Sequence, residues 1–273
     1  MKQKIVLLFL LVLFLGQNQF FGVQFIPEEL AFRPELEKFL KTSKIIRYEE
    51  IGEGVTKPFK LYLKNGELEY TGCWKNPKGM RQGYMEGWQY EIAAYEMDKL
   101  LGLNMIPPTV EREFQGEKGS LQFWVTSEMS DLERMDKGIR IPKSHLISWN
   151  RQKYLARAFD CLIGNEDRTQ QNIRYTKDWR TILIDHSRSF RSSRKFTRYL
   201  VYGKNGIKGK KLFRQLPRKF VDKIDSLDFE SISTVVGLYL TDKEIKAVLK
   251  RKELLLKEIN EMIEENGEVN VLY

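Results

Sequence analysis

The sequence predicts an α+β chain of two lobes: a small β-rich N-terminal lobe with one key helix, and a larger, mainly helical C-terminal lobe. Three observations lead there. β-type runs crowd residues 45–74, helical apolar periodicity fills residues 144–163 and the chain after 220, and a polar loop and a short β-type run between those helical regions deliver three oxygen-bearing side chains. At 273 residues the chain is long enough for two lobes around one cleft. A hydrophobic fraction of 42% with 30% charged residues is ordinary globular composition and excludes a disordered chain. Two cysteines, Cys73 and Cys161, and two histidines, His145 and His186, exclude a zinc site or a disulfide framework.

Residues 1–22 are expected to be a signal peptide or N-terminal membrane anchor, which makes export the expected fate. Lys2 and Lys4 precede an unbroken apolar run over 5–15, of signal-peptide length and short for a membrane span. Residues 23–130 are the expected N-terminal lobe. An amphipathic helix over 27–42 has Leu30, Phe32, Leu36 and Leu40 as its apolar positions. Three strands follow over 45–74, with Gly52-Glu53-Gly54 between the first two and an Asn65-Gly66 hairpin between the second and third. A Gly-x-Gly turn lets backbone N–H groups approach phosphates, so Gly52 and Gly54 are candidate nucleotide-binding positions; a plain turn is the alternative. The third strand runs into Lys75, a candidate cation for phosphates.

Such a lysine needs a carboxylate to hold it. The helix over 87–101, stopped by Gly102, offers Glu91, with Glu96 as the fallback. Residues 77–86, rich in Gly and Lys, read as a mobile loop. The chain returns to the sheet over 105–110, and 119–129 alternates as a strand leading to Glu128 and Met129. By position these two form the connector between lobes, where a purine can bond to the backbone. Met129 as an ordinary core residue is the alternative.

Residues 131–273 are the expected C-terminal lobe. A long helix over 144–163 turns Leu146, Trp149, Leu155, Phe159 and Leu162 inward. His145 reads as a capping or surface residue, Arg157 and Asp160 as members of structural pairs, and Cys161 and Cys73 as unpaired. The loop after this helix carries Asp167 and, five positions on, Asn172. A β-type run over 181–184 then delivers Asp185. Taken singly, each is more often a surface ion pair or a turn residue. In order they match what phosphoryl transfer requires: a carboxylate for the acceptor hydroxyl, then an amide oxygen and a second carboxylate for metal ions on the triphosphate.

The positive surplus, a formal +9, sits after this region: residues 188–219 hold twelve Lys or Arg and no Asp or Glu. An electropositive patch suits an acidic protein or anionic headgroups, with a solvated basic loop as the alternative. No nucleic-acid-binding motif accompanies it. The remainder is helical: two amphipathic turns over 220–240, then a helix through Ile263 opened by the capping box of Thr241 and Glu244.

The run Asp160-Cys161-Leu162-Ile163-Gly164-Asn165-Glu166-Asp167-Arg168, with Asn172 and then Ile184-Asp185-His186-Ser187-Arg188-Ser189-Phe190, resembles the atypical kinases of the secretory pathway typified by the Golgi casein kinase, together with their bacterial relatives. More distantly it is similar to phosphatidylinositol 3- and 4-kinases and HipA-type kinases. The run Glu91-Ile92-Ala93-Ala94-Tyr95 and residues 101–110 resemble the same secretory group, so the likeness spans about residues 48–190. It implies a bilobal protein-kinase-like fold that uses ATP with Mg²⁺ or Mn²⁺. Lys75 would contact phosphates, Glu91 would hold Lys75, Asp167 would be the catalytic acid/base, and Asn172 and Asp185 would bind the metal. Thr169 replaces the group's usual His and Ser187 its usual Gly; neither change removes a metal ligand or the base. The many disulfides of the animal members are missing, as in a smaller bacterial form. The resulting expectation is an exported kinase acting on a hydroxyl of a protein or glycan. The alternatives are a lipid or small-molecule kinase at a membrane surface and a nucleotide-binding pseudokinase.

Overall fold

The N-terminal lobe is one antiparallel sheet with helices against it. Its strands are β1 (Lys44–Glu50), β2 (Phe59–Asn65) and β3 (Leu68–Lys75), then β6 (Thr109–Phe114) and β7 (Glu117–Phe123), in the order β1-β2-β3-β7-β6. The structure is a computed structural model describing residues 25–52, 58–81, 83–209 and 214–273. The expected signal peptide or anchor over 1–22 and the candidate Gly54 lie outside the described residues. Alternation along β2 turns Leu61 and Leu63 into a core shared with Trp74, Val110, Phe114 and Leu121, and Phe39 and Leu40 close it from a helix. At the tight β2–β3 turn Gly66 sits at φ 59°, a conformation that costs glycine nothing.

The helix expected over 27–42 is two helices, α1 (Pro27–Ala31) and α2 (Arg33–Thr42), broken at Phe32. Pro34, second in α2, has no N–H with which to continue the hydrogen-bond ladder of α1. The stretch 77–86, expected to be a mobile loop, is largely a hairpin of β4 (Lys78–Arg81) and β5 (Tyr84–Gly87), paired from Lys78 with Gly87 to Arg81 with Tyr84. Its strands are too short and polar to show an apolar alternation. Only its last two residues, Glu86 and Gly87, are buried.

Helix α3 (Gln89–Leu101) ends at Gly102 in the left-handed conformation, as expected. Its Tyr90, Ala93, Ala94, Tyr95, Met97 and Leu101 belong to the core of the larger lobe and not to that of the sheet. The helix therefore ties the two lobes together, with Glu91 in its first turn.

In the larger lobe, β8 (Met129–Ser130) leads into α4 (Asp131–Asp136), and a 3-10 turn opens α5 (Leu146–Ile163). His145 stands at the N-cap of α5 but makes no side-chain cap. Strands β9 (Ile173–Tyr175) and β10 (Thr181–Leu183) join β8 in a sheet ordered β10-β9-β8. Then come α6 (Arg194–Arg198), α7 (Arg218–Ser226), α8 (Phe229–Val236), α9 (Asp242–Asn266) and α10 (Glu268–Val271). The capping box forms as read: the Thr241 hydroxyl accepts from the Glu244 N–H, and the Glu244 carboxylate accepts from the Thr241 N–H at 2.8 Å. Both cysteines are free, as expected, and among the described residues no helix is long and apolar enough to cross a membrane.

The turn from α5 into the loop of Asp167 rests on Gly164, at φ 67°. A Cβ there would meet the Arg251 guanidinium carbon at 2.9 Å. Arg251 is fully buried on α9 and donates to the Leu162 carbonyl at 2.8 Å and the Arg191 carbonyl at 2.5 Å. Gly164→Ala is expected to cost about 2–4 kcal/mol, combining left-handed strain with overpacking against a rigid neighbour. Gly138→Ala, at φ 62° with open space around it, carries the strain alone and costs about 1–2 kcal/mol. Urea unfolding of the two variants measures the difference.

Candidate active site

Lys75, Glu91, Asp167, Asn172 and Asp185 come from a strand, a helix, a loop and a strand end, and they converge on the cleft between the lobes. The Lys75 ammonium lies 3.2 Å from Glu91 Oε1 and 3.0 Å from Asp185 Oδ1. Burial alone would favour the uncharged amine, but Asp185 and Glu91 more than offset it and hold the pKa above the usual lysine range. Burial would likewise raise Glu91; Lys75, and then the hydrogen bonding of His186, keep its carboxyl well below the ordinary range. Glu91 Oε2 also accepts the His186 backbone N–H at 2.9 Å. One helical carboxylate thus holds the lysine and the segment after β10 together. Glu96, the fallback, pairs with Lys99 at 2.9 Å.

Asp185 occupies the left-handed region at φ 61°, which aspartate tolerates better than most residues. Five residues on, Phe190 does the same at φ 58°, with its N–H on the Ile163 carbonyl at 2.6 Å. For a bulky side chain that is an uncommon, strained conformation, sustained by the packing around a ring only 1% exposed.

Asp167 and Asn172 share one turn: the Asn172 side-chain nitrogen donates to the Asp167 carbonyl at 3.3 Å, leaving the amide oxygen as an acceptor. Arg168 fixes this loop. Its guanidinium grips Asp160 with two bonds of 2.9 and 3.1 Å and donates to the carbonyls of Asn172 and Ile184 at 3.1 and 2.7 Å. Arg168 also lies 2.8 Å from His186 Nε2. Since arginine only donates, Nε2 must accept, which assigns the imidazole proton to Nδ1, facing Glu91 Oε2 at 3.7 Å. Burial, then the Arg168 charge, lower the His186 pKa and keep the ring neutral.

Asp167 Oδ2 is 3.2 Å from Arg188 Nη1, and Arg188 also makes bonds of 2.6 and 2.7 Å to Glu86 Oε1. Burial in the cleft raises the Asp167 pKa, with Arg188 opposing the rise and Asp185 adding to it. Neither Glu86 nor Arg188 was singled out by sequence reasoning. Arg188 looked like one of a dozen basic residues, and Glu86 lay in a stretch with no strand signal. Part of that basic segment is already matched: Lys195 lies 3.5 Å from Glu166, Lys204 3.3 Å from Glu265, and Arg218 pairs with Glu268.

The proposed adenine contacts fit less well. Glu128 and Met129 do lie at the passage between lobes, but the Glu128 N–H is used on the Tyr175 carbonyl at 2.9 Å, and Met129 pairs with Tyr175 in the β8–β9 ladder. That N–H is not free for a base. Gly52 is exposed in the bend after β1, with open space around it.

Beside the cleft opens a cavity of about 690 Å³, bordered by Tyr84 of the hairpin, Tyr90 of α3, and Glu166, Phe190, Arg191 and Lys195.

No family profile and no curated protein matches the sequence. Among solved structures the chain is similar to hydra Fam20 with sugar, at a TM-score of 0.64 and 14% identity, over 93% of this chain and 95% of that one. It is also similar to the Golgi casein kinase, at 0.62 and 16% identity over 89% of this chain and 78% of that one, and to the same kinase with Mn/ADP bound, at 0.61. The shared property is the fold: a bilobal kinase fold, as the sequence led one to expect.

Proposed function

We propose that this chain is an ATP-dependent phosphotransferase that moves the γ-phosphoryl group to a hydroxyl of a protein or glycan, outside the cytoplasm. The observation that carries the reading is the bifurcated ion pair of Lys75 with Glu91 and Asp185, set beside Asp167 and Asn172 on a loop clamped by Arg168. A lysine held this way is oriented for phosphate oxygens, and an ion pair joining both lobes fixes the cleft.

The donor set fits a divalent metal shared with a nucleotide. Among the described residues no group of three or more His, Cys, Asp or Glu forms an all-protein cage. Asn172 and Asp185 supply an amide oxygen and a carboxylate, few and hard ligands, which is how Mg²⁺ is held when phosphates complete its shell. Bound there, Mg²⁺ or Mn²⁺ would neutralise charge on the triphosphate. Asp167 orients the acceptor hydroxyl and takes its proton. The acceptor oxygen bonds to the γ-phosphorus as the bond from phosphorus to the β–γ bridging oxygen breaks, and ADP leaves with the electron pair. The raised Asp167 pKa makes it a better base than a solvent-exposed aspartate.

The acceptor class is supported by the neighbours, one a casein kinase and one described with sugar, and by the cavity of aromatic, basic and acidic side chains that Glu166, next to Asp167 in the chain, helps to line. The likeness to a Golgi kinase and the apolar run over 5–15 support export. A membrane-surface lipid acceptor rests on the basic segment alone, part of which is paired. One observation favours a second reading, nucleotide binding without transfer: the Arg188–Asp167 ion pair occupies the base.

Incubation with a divalent metal, casein or an oligosaccharide, and ATP labelled at either the γ- or the α-phosphate tests the assignment. Acceptor labelled from the γ-position alone is expected. Label from the α-position would mean adenylyl transfer, and no label in any acceptor would favour the pseudokinase.

A further inference from the structure

Arg188 holds two carboxylates at once, and the two ends of that grip are unlike. Toward Glu86 it makes short bonds of 2.6 and 2.7 Å to a carboxylate whose side chain is 2% exposed, over the ring of Tyr84 at 4.6 Å. Toward Asp167 it makes one bond of 3.2 Å to a side chain 32% exposed. The Glu86 end is anchored. Glu86 lies on β5, and the next residue, Gly87, donates its N–H to the Ser187 carbonyl at 3.0 Å, pinning the hairpin to the segment that carries Arg188. The Asp167 end is exchangeable.

Resting on the kinase reading, we propose that Arg188 is a catalytic residue that transfers its Nη1 grip from Asp167 to the γ-phosphoryl group when ATP binds, with Glu86 as its positioning residue. A terminal phosphate carries more negative charge than one carboxylate and offers three acceptor oxygens in the geometry a guanidinium fits. It therefore competes well for the single bond to Asp167, while the bonds to Glu86 stay in place. The exchange has two consequences. Asp167 Oδ2 is released for the acceptor hydroxyl at the moment a donor is present, and a fixed cation reaches the group whose charge spreads in the transition state. Lys75, held between Glu91 and Asp185, is oriented for other oxygens of the triphosphate, so Arg188 adds a second cation at the γ-phosphoryl group. The ion pair that would mark a silenced site is, on this account, its resting state. The β4–β5 hairpin gains a role, since it carries Glu86 and Tyr84, which set the guanidinium.

Calorimetric titration with ADP and with a non-hydrolysable ATP analogue, each with Mg²⁺, tests the exchange without requiring turnover. Losing a charged hydrogen bond to the terminal phosphate is expected to weaken the analogue about tenfold or more in Arg188→Ala while leaving ADP within about twofold. Arg188→Lys should recover part of the loss, and Glu86→Gln should fall between. Equal weakening of both nucleotides would assign Arg188 a structural role and overturn the proposal, as would unchanged affinity for the analogue. Failure of the native chain to bind either nucleotide would overturn the kinase reading itself and the proposal with it.

Discussion

Asp167→Asn is expected to cut phosphoryl transfer by about 10²–10⁴-fold while leaving Mg²⁺-ATP affinity within about twofold, the range general-base catalysis supplies. The asparagine keeps the shape and its backbone carbonyl, so the bond from Asn172 and the turn survive. It loses the site for the acceptor proton. It also loses the charge facing Arg188, which stays held by Glu86, so the variant should fold. Single-turnover kinetics with γ-labelled ATP, beside a binding isotherm, separates the two quantities. A parallel fall in affinity and rate would mean Asp167 only shapes the loop.

The second large effect falls on stability as well as activity. Lys75→Met leaves Glu91 nearly fully buried with no cation against Oε1, only the His186 N–H on Oε2. Breaking a buried ion pair by removing one partner costs about 3–5 kcal/mol, because the surviving charge is left uncompensated. Adding Glu91→Gln removes that charge; an amide oxygen can still accept from His186, and most of the stability should return. Nucleotide binding and transfer should not, since the double variant has no phosphate cation. A double-mutant cycle by urea unfolding gives the coupling, and additive losses would contradict a functional pair.

Most of the site was legible because its residues are tied to local sequence signals. Gly164 ends a helix, Asp185 ends an apolar strand, Glu91 lies in the first turn of a periodic helix, and the spacing from Asp167 to Asn172 is one turn. What the sequence hid depends on contacts between distant segments. Glu86 lies 102 positions from Arg188, on a four-residue strand without apolar alternation. The Glu128 N–H looked free for adenine because β9, which takes it, is three residues long and invisible to periodicity. The basic segment looked like a bare charge field because the partners it has, Glu166, Glu265 and Glu268 among them, come from outside it. Pro34, which splits the first helix, is itself a local signal: with no N–H it cannot extend the ladder of the preceding helix.

On the proposed function, Asp185 and Asn172 hold a divalent ion on a nucleotide beneath Lys75. Calorimetric titration of ATP with Mn²⁺, with Mg²⁺ and with neither, into the native chain and into Asp185→Ala, tests it most directly. ATP should bind the native chain only with a metal present, and Asp185→Ala should weaken that binding at least about tenfold, the loss of one charged ligand. Equal, metal-independent binding of ATP by both chains would contradict it.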